Sequence, residues 1–175
     1  RYLRYGMSSR FVLRGFVMSE EFRSKCSLWE INSGVITVNE NRDMNAGVTE
    51  FVQRIYNICL GRRAHVNGLN TWTGHINSGR MTASDVVKSI VFSPEYKSRN
   101  SSDEEYVRML FSLLKDTEAS DAEVSEFISE TLGKGHTRES VLRKFGLSEE
   151  FTRMCADFGI ERGEIKVGGW SRNNG

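Results

Sequence analysis

The sequence has little of what interrupts helices and little of what holds metals. Proline occurs once, at Pro94, and cysteine and histidine occur three times each. So few prolines leave long stretches free to be helical. Cys26, Cys59 and Cys155 form no CxxC or zinc spacing, and an odd count in 175 residues argues against a disulfide framework. Each lies among apolar residues, so buried free thiols are expected. His65, His75 and His136 stand in no HExxH frame. No set of nucleophile, base and orienting group can be assembled, so no catalytic residues, no enzyme activity and no cofactor are expected. An excess of one charge is also missing: 24 basic and 23 acidic residues leave +1. Nucleic-acid binding needs a basic surplus or stripe, and the cluster Arg1, Arg4, Arg10, Arg14, Arg23 and Lys25 reads as a solvated helix face. No apolar run is long enough to cross a bilayer, so no membrane insertion is expected of this stretch. The chain begins at Arg1, inside a helical pattern, and reads as a fragment of a larger protein.

What is present is a globular composition, 38% hydrophobic and 27% charged, that repeats on two scales. At an offset of 129 residues, Val12-Leu13-Arg14 meets Val141-Leu142-Arg143, Phe16 meets Phe145, and Ser19-Glu20-Glu21-Phe22 meets Ser148-Glu149-Glu150-Phe151. Cys26, Ile31, Gly34 and Ile36 then meet Cys155, Ile160, Gly163 and Ile165 without a gap. At an offset of 55, Phe51-Val52 aligns with Tyr106-Val107, Ile55 with Leu110, Leu69 with Val124, Trp72 with Phe127, and Val86-Val87 with Val141-Leu142. Residues 1–45 therefore read as the C-terminal half of a preceding repeat unit plus linker. Residues 46–167 read as a complete two-repeat unit, and 168–175 as a flexible tail.

Each repeat divides into about four short helices. Val48, Phe51, Val52, Ile55, Tyr56 and Cys59 follow i, i+3, i+4, i+7 spacing. Ser102-x-x-Glu105 and Ser120-x-x-Glu123 are capping boxes, and Thr82, Thr137 and Ser8 are hydroxyl N-caps. Ser93 precedes Pro94 at a first helical position, where the missing N–H costs nothing, and Ser19 and Ser148 repeat that cap. Strand-like alternation is confined to 35–38 and 165–167. The expected class is all-α: tandem degenerate helical repeats with short extended tails.

Three features are candidates for a site. Asn39, Asn41, Asp43, Asn45 and Glu50 imitate the oxygen spacing of a calcium loop, but Met44 stands where glycine makes the turn, so a polar linker and no metal is the expectation. Trp72 and Trp29 align with Phe127 and Phe158 and are expected to pack, which leaves Trp170, in the tail, as the aromatic free to meet a glycan. The third is a polar face on the first helical hairpin. Gln53, Arg54, Asn57, Arg62, Arg63 and Asn70 are expected to be exposed and to bind a partner, because they differ from their counterparts Arg108, Met109, Ser112, Thr117, Glu118 and Ser125. The apolar residues Phe11, Phe16 and Phe22 of the half unit need burial, on the complete unit or on another molecule.

Three segments resemble a known family. Tyr56-Asn57-Ile58-Cys59-Leu60-Gly61-Arg62 followed by Gly68-Leu69-Asn70-Thr71-Trp72 is similar to one of its blocks. Phe92-Ser93-Pro94-Glu95-Tyr96 is similar to a second, and 155–163 to its closing block. The resemblance is to the bacterial domain-of-unknown-function family four-two-one-four, which is distantly similar to phycobilisome linker domains. It implies a helical repeat domain of large secreted or cell-surface proteins, often of gut bacteria. The sequence departs from the pattern at Ala64-His65, at Asp116-Thr117 and at Phe127, so the second repeat is the degenerate one. If the Gly61-Arg62 block bound a ligand, only the first repeat would do so; otherwise Gly61 ends a helix and Arg62 pairs with a nearby carboxylate or carbonyl. The function expected is a non-catalytic, protein-binding adhesin-like module, extracellular or on the bacterial surface. Its partner would be a host protein such as an immunoglobulin or a bacterial surface protein, with glycan a possible ligand. The alternative is a structural spacer or a carbohydrate-associated accessory domain.

Overall fold

The computed structural model describes residues 2–166, so the expected tail at 168–175, with Trp170, lies outside the described residues. The chain is 67% helical, with no strand among the described residues. After a 3-10 turn at Tyr2–Tyr5 come α1 (Ser9–Val17) and α2 (Glu20–Leu28), an extended stretch, and a second 3-10 turn at Asn41–Asp43. The first repeat is α3 (Ala46–Leu60), α4 (Val66–Asn77), α5 (Ala83–Val91) and α6 (Pro94–Lys97). The second is α7 (Asp103–Leu110), α8 (Asp121–Glu130), α9 (Arg138–Gly146) and α10 (Glu149–Phe158).

Helix starts follow local chemistry. Side chains of Ser8, Ser19, Asn45, Thr82, Ser93, Ser102, Ser120, Thr137 and Ser148 each accept a backbone N–H of their own first turn. Such caps satisfy amides that lack a partner in the helix and are worth about 1 kcal/mol apiece. Helix α3 ends at Gly61, whose φ of 64° is left-handed. The equivalent residue of the second repeat is Asp116, also left-handed at φ 55°. There the helix does not finish as an α-helix. It widens into a π turn at Phe111–Lys115 before Asp116 closes it.

One core joins α3 to α10. Val52 and Ile55 of α3 are fully buried against Val86 and Val87 of α5, Leu110 and Leu114 of the α7 arm, and Leu142 and Phe151 of α9 and α10. The 55-residue repeat is visible as paired burial: Phe51 with Tyr106, Ile55 with Leu110, Val87 with Leu142, Tyr96 with Phe151. Trp72 and Phe127 occupy matching half-buried places on this core, as the sequence suggests. Trp72 also donates from Nε1 to the Tyr56 hydroxyl at 3.0 Å.

The start of the half unit is tied to its own linker by a small polar junction, and Arg63 and Asn70 of the complete unit bond to the two sides of it. Met7 is buried. The buried carboxylate of Asp43 accepts the Ser8 backbone N–H at 2.8 Å and the Ser8 hydroxyl at 2.5 Å. Arg42 donates to the Gly6 carbonyl at 2.9 Å and pairs with Glu40. The apolar face of the half unit stays open. Phe11 and Phe22 are half-buried and Phe16 is 62% exposed, so the complete unit does not cover this face.

Candidate partner surface

The six nominated residues do not form one exposed face. Gln53 is buried, a correction to the expected exposure. Its amide donates to Asn57 at 2.9 Å, and the Gly6 turn lies over it, so position 53 on α3 faces the N-terminal segment rather than water. Arg54 is drawn the other way. Its guanidinium donates to the Ser112 carbonyl at 2.5 Å and to Asp116 at 2.8 Å, placing a cation on the carbonyl end of the π turn. Asn57 is exposed.

Arg62 makes a two-pronged pair with Glu95, at 2.6 and 2.8 Å, and its guanidinium lies 5.2 Å from the centre of the Tyr56 ring. The bond holds Glu95 below the usual carboxylate range and raises Arg62. Gly61 ends α3 and Arg62 meets a carboxylate, which is the structural reading of that block. Arg63 donates to the carbonyls of Leu3 and Arg4 at 3.0 and 2.8 Å, the end of the first 3-10 turn. The side-chain oxygen of Asn70 accepts the Arg42 N–H at 3.1 Å, and its amide donates to Glu40 at 3.0 Å. Hydrogen bonds from Arg42 and then Asn70 hold Glu40 below its ordinary pKa. All six side chains thus hold neighbouring segments or one another. The contrast with the second repeat reflects what the first repeat packs against: Met109, the counterpart of Arg54, is buried beside Cys59.

The residues with calcium-loop spacing are also engaged. Both carboxylate oxygens of Asp43 accept from Ser8, Asn45 caps α3, and Asn41 donates to the Asn70 carbonyl. Among the described residues no group of three or more His, Cys, Asp or Glu side chains is placed to hold a metal ion. His75 lies on α4 beside Trp72, ring centres 6.2 Å apart, with Nδ1 buried and unpartnered. Burial pushes the thiols of Cys59 and Cys155 up to about 12, so neither is a nucleophile near neutrality.

Two of the open surfaces differ sharply in character. One is a mixed-charge cleft of about 410 Å³ between the π turn and α10, lined by Arg54, Lys115, Asp116, Glu150, Arg153 and Asp157. The other is a shallow apolar hollow of about 600 Å³ formed by Leu3, Val12, Leu13 and Phe16. Beyond it Trp29 is 73% exposed, against the expectation that it packs as Phe158 does. Phe158 packs because Phe51 lies 5.7 Å away; no such neighbour covers Trp29. The junction built by Ser8, Arg42 and Asp43 is the part that the local sequence conceals. Ser8 reads as a cap and Asp43 as a linker residue, and 35 positions separate them.

Fold and surface define an all-helical repeat domain. The family described as a domain of unknown function, DUF4214, matches the chain twice, at residues 38–100 and 83–155, and the chain belongs to that family. Neither a curated protein nor a solved structure matches the chain. No helix among the described residues is long and apolar enough to cross a membrane.

Proposed function

We propose that this chain is a non-catalytic architectural module, a spacer of a larger secreted or cell-surface protein whose units are joined stiffly end to end. The observation that carries this reading is the junction. Ser8 and Gly6 are tied to Asp43 and Arg42 of the linker, and Arg63 and Asn70 of the complete unit bind the same network from the other side. Polar residues that a ligand-binding face would leave free are spent on fixing one unit against the next. A carboxylate that accepts two hydrogen bonds in a buried place restrains geometry as well as adding stability. The family resemblance is what suggests the cell-surface setting.

The test is a distance distribution between spin labels at Cys26 and at an introduced Glu126→Cys. Cys59 and Cys155 are buried and take no label. A narrow distribution that broadens with Asp43→Ala is expected. A broad distribution in the unaltered junction would contradict a stiff spacer.

A second reading, a binding module for a host or bacterial surface protein, is favoured by the open charged cleft beside α10. Saturable binding of a purified candidate such as an immunoglobulin, abolished by Arg153→Glu with Asp157→Lys, would support it. Unchanged binding would remove the cleft from consideration.

A further inference from the structure

The open face of α1 and α2 has a buried twin in the same molecule. Val12, Leu13, Phe16 and Ile31 are exposed, while Val141, Leu142, Phe145 and Ile160, the same residue types 129 positions on, are buried. The backbones repeat as well. Gly6 and Gly135 turn at φ 95° and 85°, and Gly34 and Gly163 at 69° and 65°. Ile31 donates to the Cys26 carbonyl at 2.8 Å and Ile160 to the Cys155 carbonyl at 2.9 Å. The segment 8–36 therefore holds the conformation of a packed back half without the packing.

Specific neighbours cover the twin. Phe145 is wedged between Phe111 and Phe127, at 5.1 and 5.0 Å. The carbonyls of Glu161 and Arg162 accept the N–H groups of Ala83 and Ser84 at the start of α5, both at 2.9 Å. A β-carbon on Gly163 would collide with the Thr82 side chain, and one on Gly47 with the Phe158 carbonyl. All of these covering groups lie in residues 46–129. Around Gly34, by contrast, nothing lies within 4 Å of a β-carbon position.

We infer that the face of α1 and α2 is the back half of a split core, completed by a front half of the 46–129 type from another copy of the unit joined ahead of α1. Apolar side chains that have matched partners in one copy are complementary to the equivalent partners in another. The order front half, then back half, is the order of the complete unit, and position 129 leads into the counterpart of residue 1. This rests on the architectural reading and extends it: each unit's back half belongs to the core behind it and is clamped to the unit ahead through the bonds of Arg63 and Asn70 to the Ser8–Asp43 junction. The hollow beside Phe16 is then a seam between halves, and no ligand is needed to explain it.

The test joins a duplicate of residues 46–129 directly to residue 1 and counts reactive thiols under native conditions. In the chain alone, Cys26 is half-buried and reacts, while Cys59 and Cys155 are buried and do not. In the fusion, which duplicates Cys59, none of the four thiols reacts at the original rate, and Cys26 slows by at least about tenfold. The double change Leu13→Asp with Phe16→Asp restores Cys26 reactivity in the fusion and leaves it unchanged in the chain alone. Cys26 reacting at its original rate, whether the added Cys59 is protected or not, overturns the inference. Protection of Cys26 that rises with concentration of the unfused chain assigns the face to a second molecule and overturns it too. A failure here leaves the spin-label result untouched, since that measurement uses the unfused chain.

Discussion

Residues 8–36 and 137–165 put one set of side chains into two environments. Both start from a hydroxyl cap, both hold two helices joined by a serine-capped turn, and both close through a left-handed glycine. In the second, Phe145, Phe151 and Ile165 complete a core with α3, α5 and the α7 arm. In the first, Phe16 and Ile31 face water, and attachment depends on Met7 and a few polar bonds. Local sequence sets the conformation in both, while burial is decided by which neighbour is within reach. The hydrophobic effect needs a second surface, and a single amphipathic hairpin cannot supply its own.

The largest expected effect comes from the same substitution at the two sites. Phe145→Ala removes a ring packed against two others and is expected to cost about 3–5 kcal/mol in urea unfolding. Phe16→Ala is expected to cost under about 0.5 kcal/mol, because its ring is largely solvated. Equal costs would mean that the hairpin is covered after all. Next in size is the junction. Asp43→Ala removes two charge-assisted bonds from a buried site and is expected to cost about 2 kcal/mol of docking. It shows as faster amide exchange in 7–17, with the unfolding of α3 to α10 unmoved.

A smaller effect separates the two attachments by pH. Glu40 has a folded pKa below its ordinary value, because Arg42 and then Asn70 donate to it. Its contribution is present above the ordinary carboxylate range and is lost as pH falls through the depressed folded value. Acidification should therefore speed exchange around Met7, and Glu40→Gln should flatten that part of the profile. The Phe145 ring itself packs between two other rings and needs no carboxylate to do so. A junction that loosens as pH rises would contradict the assignment.

Much of this architecture is legible in the sequence because its signals are local. Ser102-x-x-Glu105 and Ser93-Pro94 announce helix starts through contacts three residues long, and the spacing of Phe51, Val52 and Ile55 defines a buried stripe. Arg62 is legible too, since a glycine stop places it beside the Glu95 block. Gln53 is not. It sits at the flank of the α3 stripe, and the turn at Gly6, 47 positions away, makes it interior. Trp29 fails for the opposite reason: alignment with Phe158 transfers residue type but not the neighbour that Phe158 has in Phe51. The contrast between copies at the polar face is real, and intramolecular contacts at Arg54, Arg63 and Asn70 accompany it.

The most direct test of this account is native-state amide exchange followed by mass spectrometry on the chain as it stands, comparing peptides from α1 and α2 with those from α9 and α10. The α9–α10 peptides are expected to exchange only with global unfolding, while α1–α2 peptides exchange by local opening under the same conditions, with protection confined to residues near Met7 and Ser8. Equal protection of the two hairpins would contradict the claim that one is a completed core and the other an unfilled half.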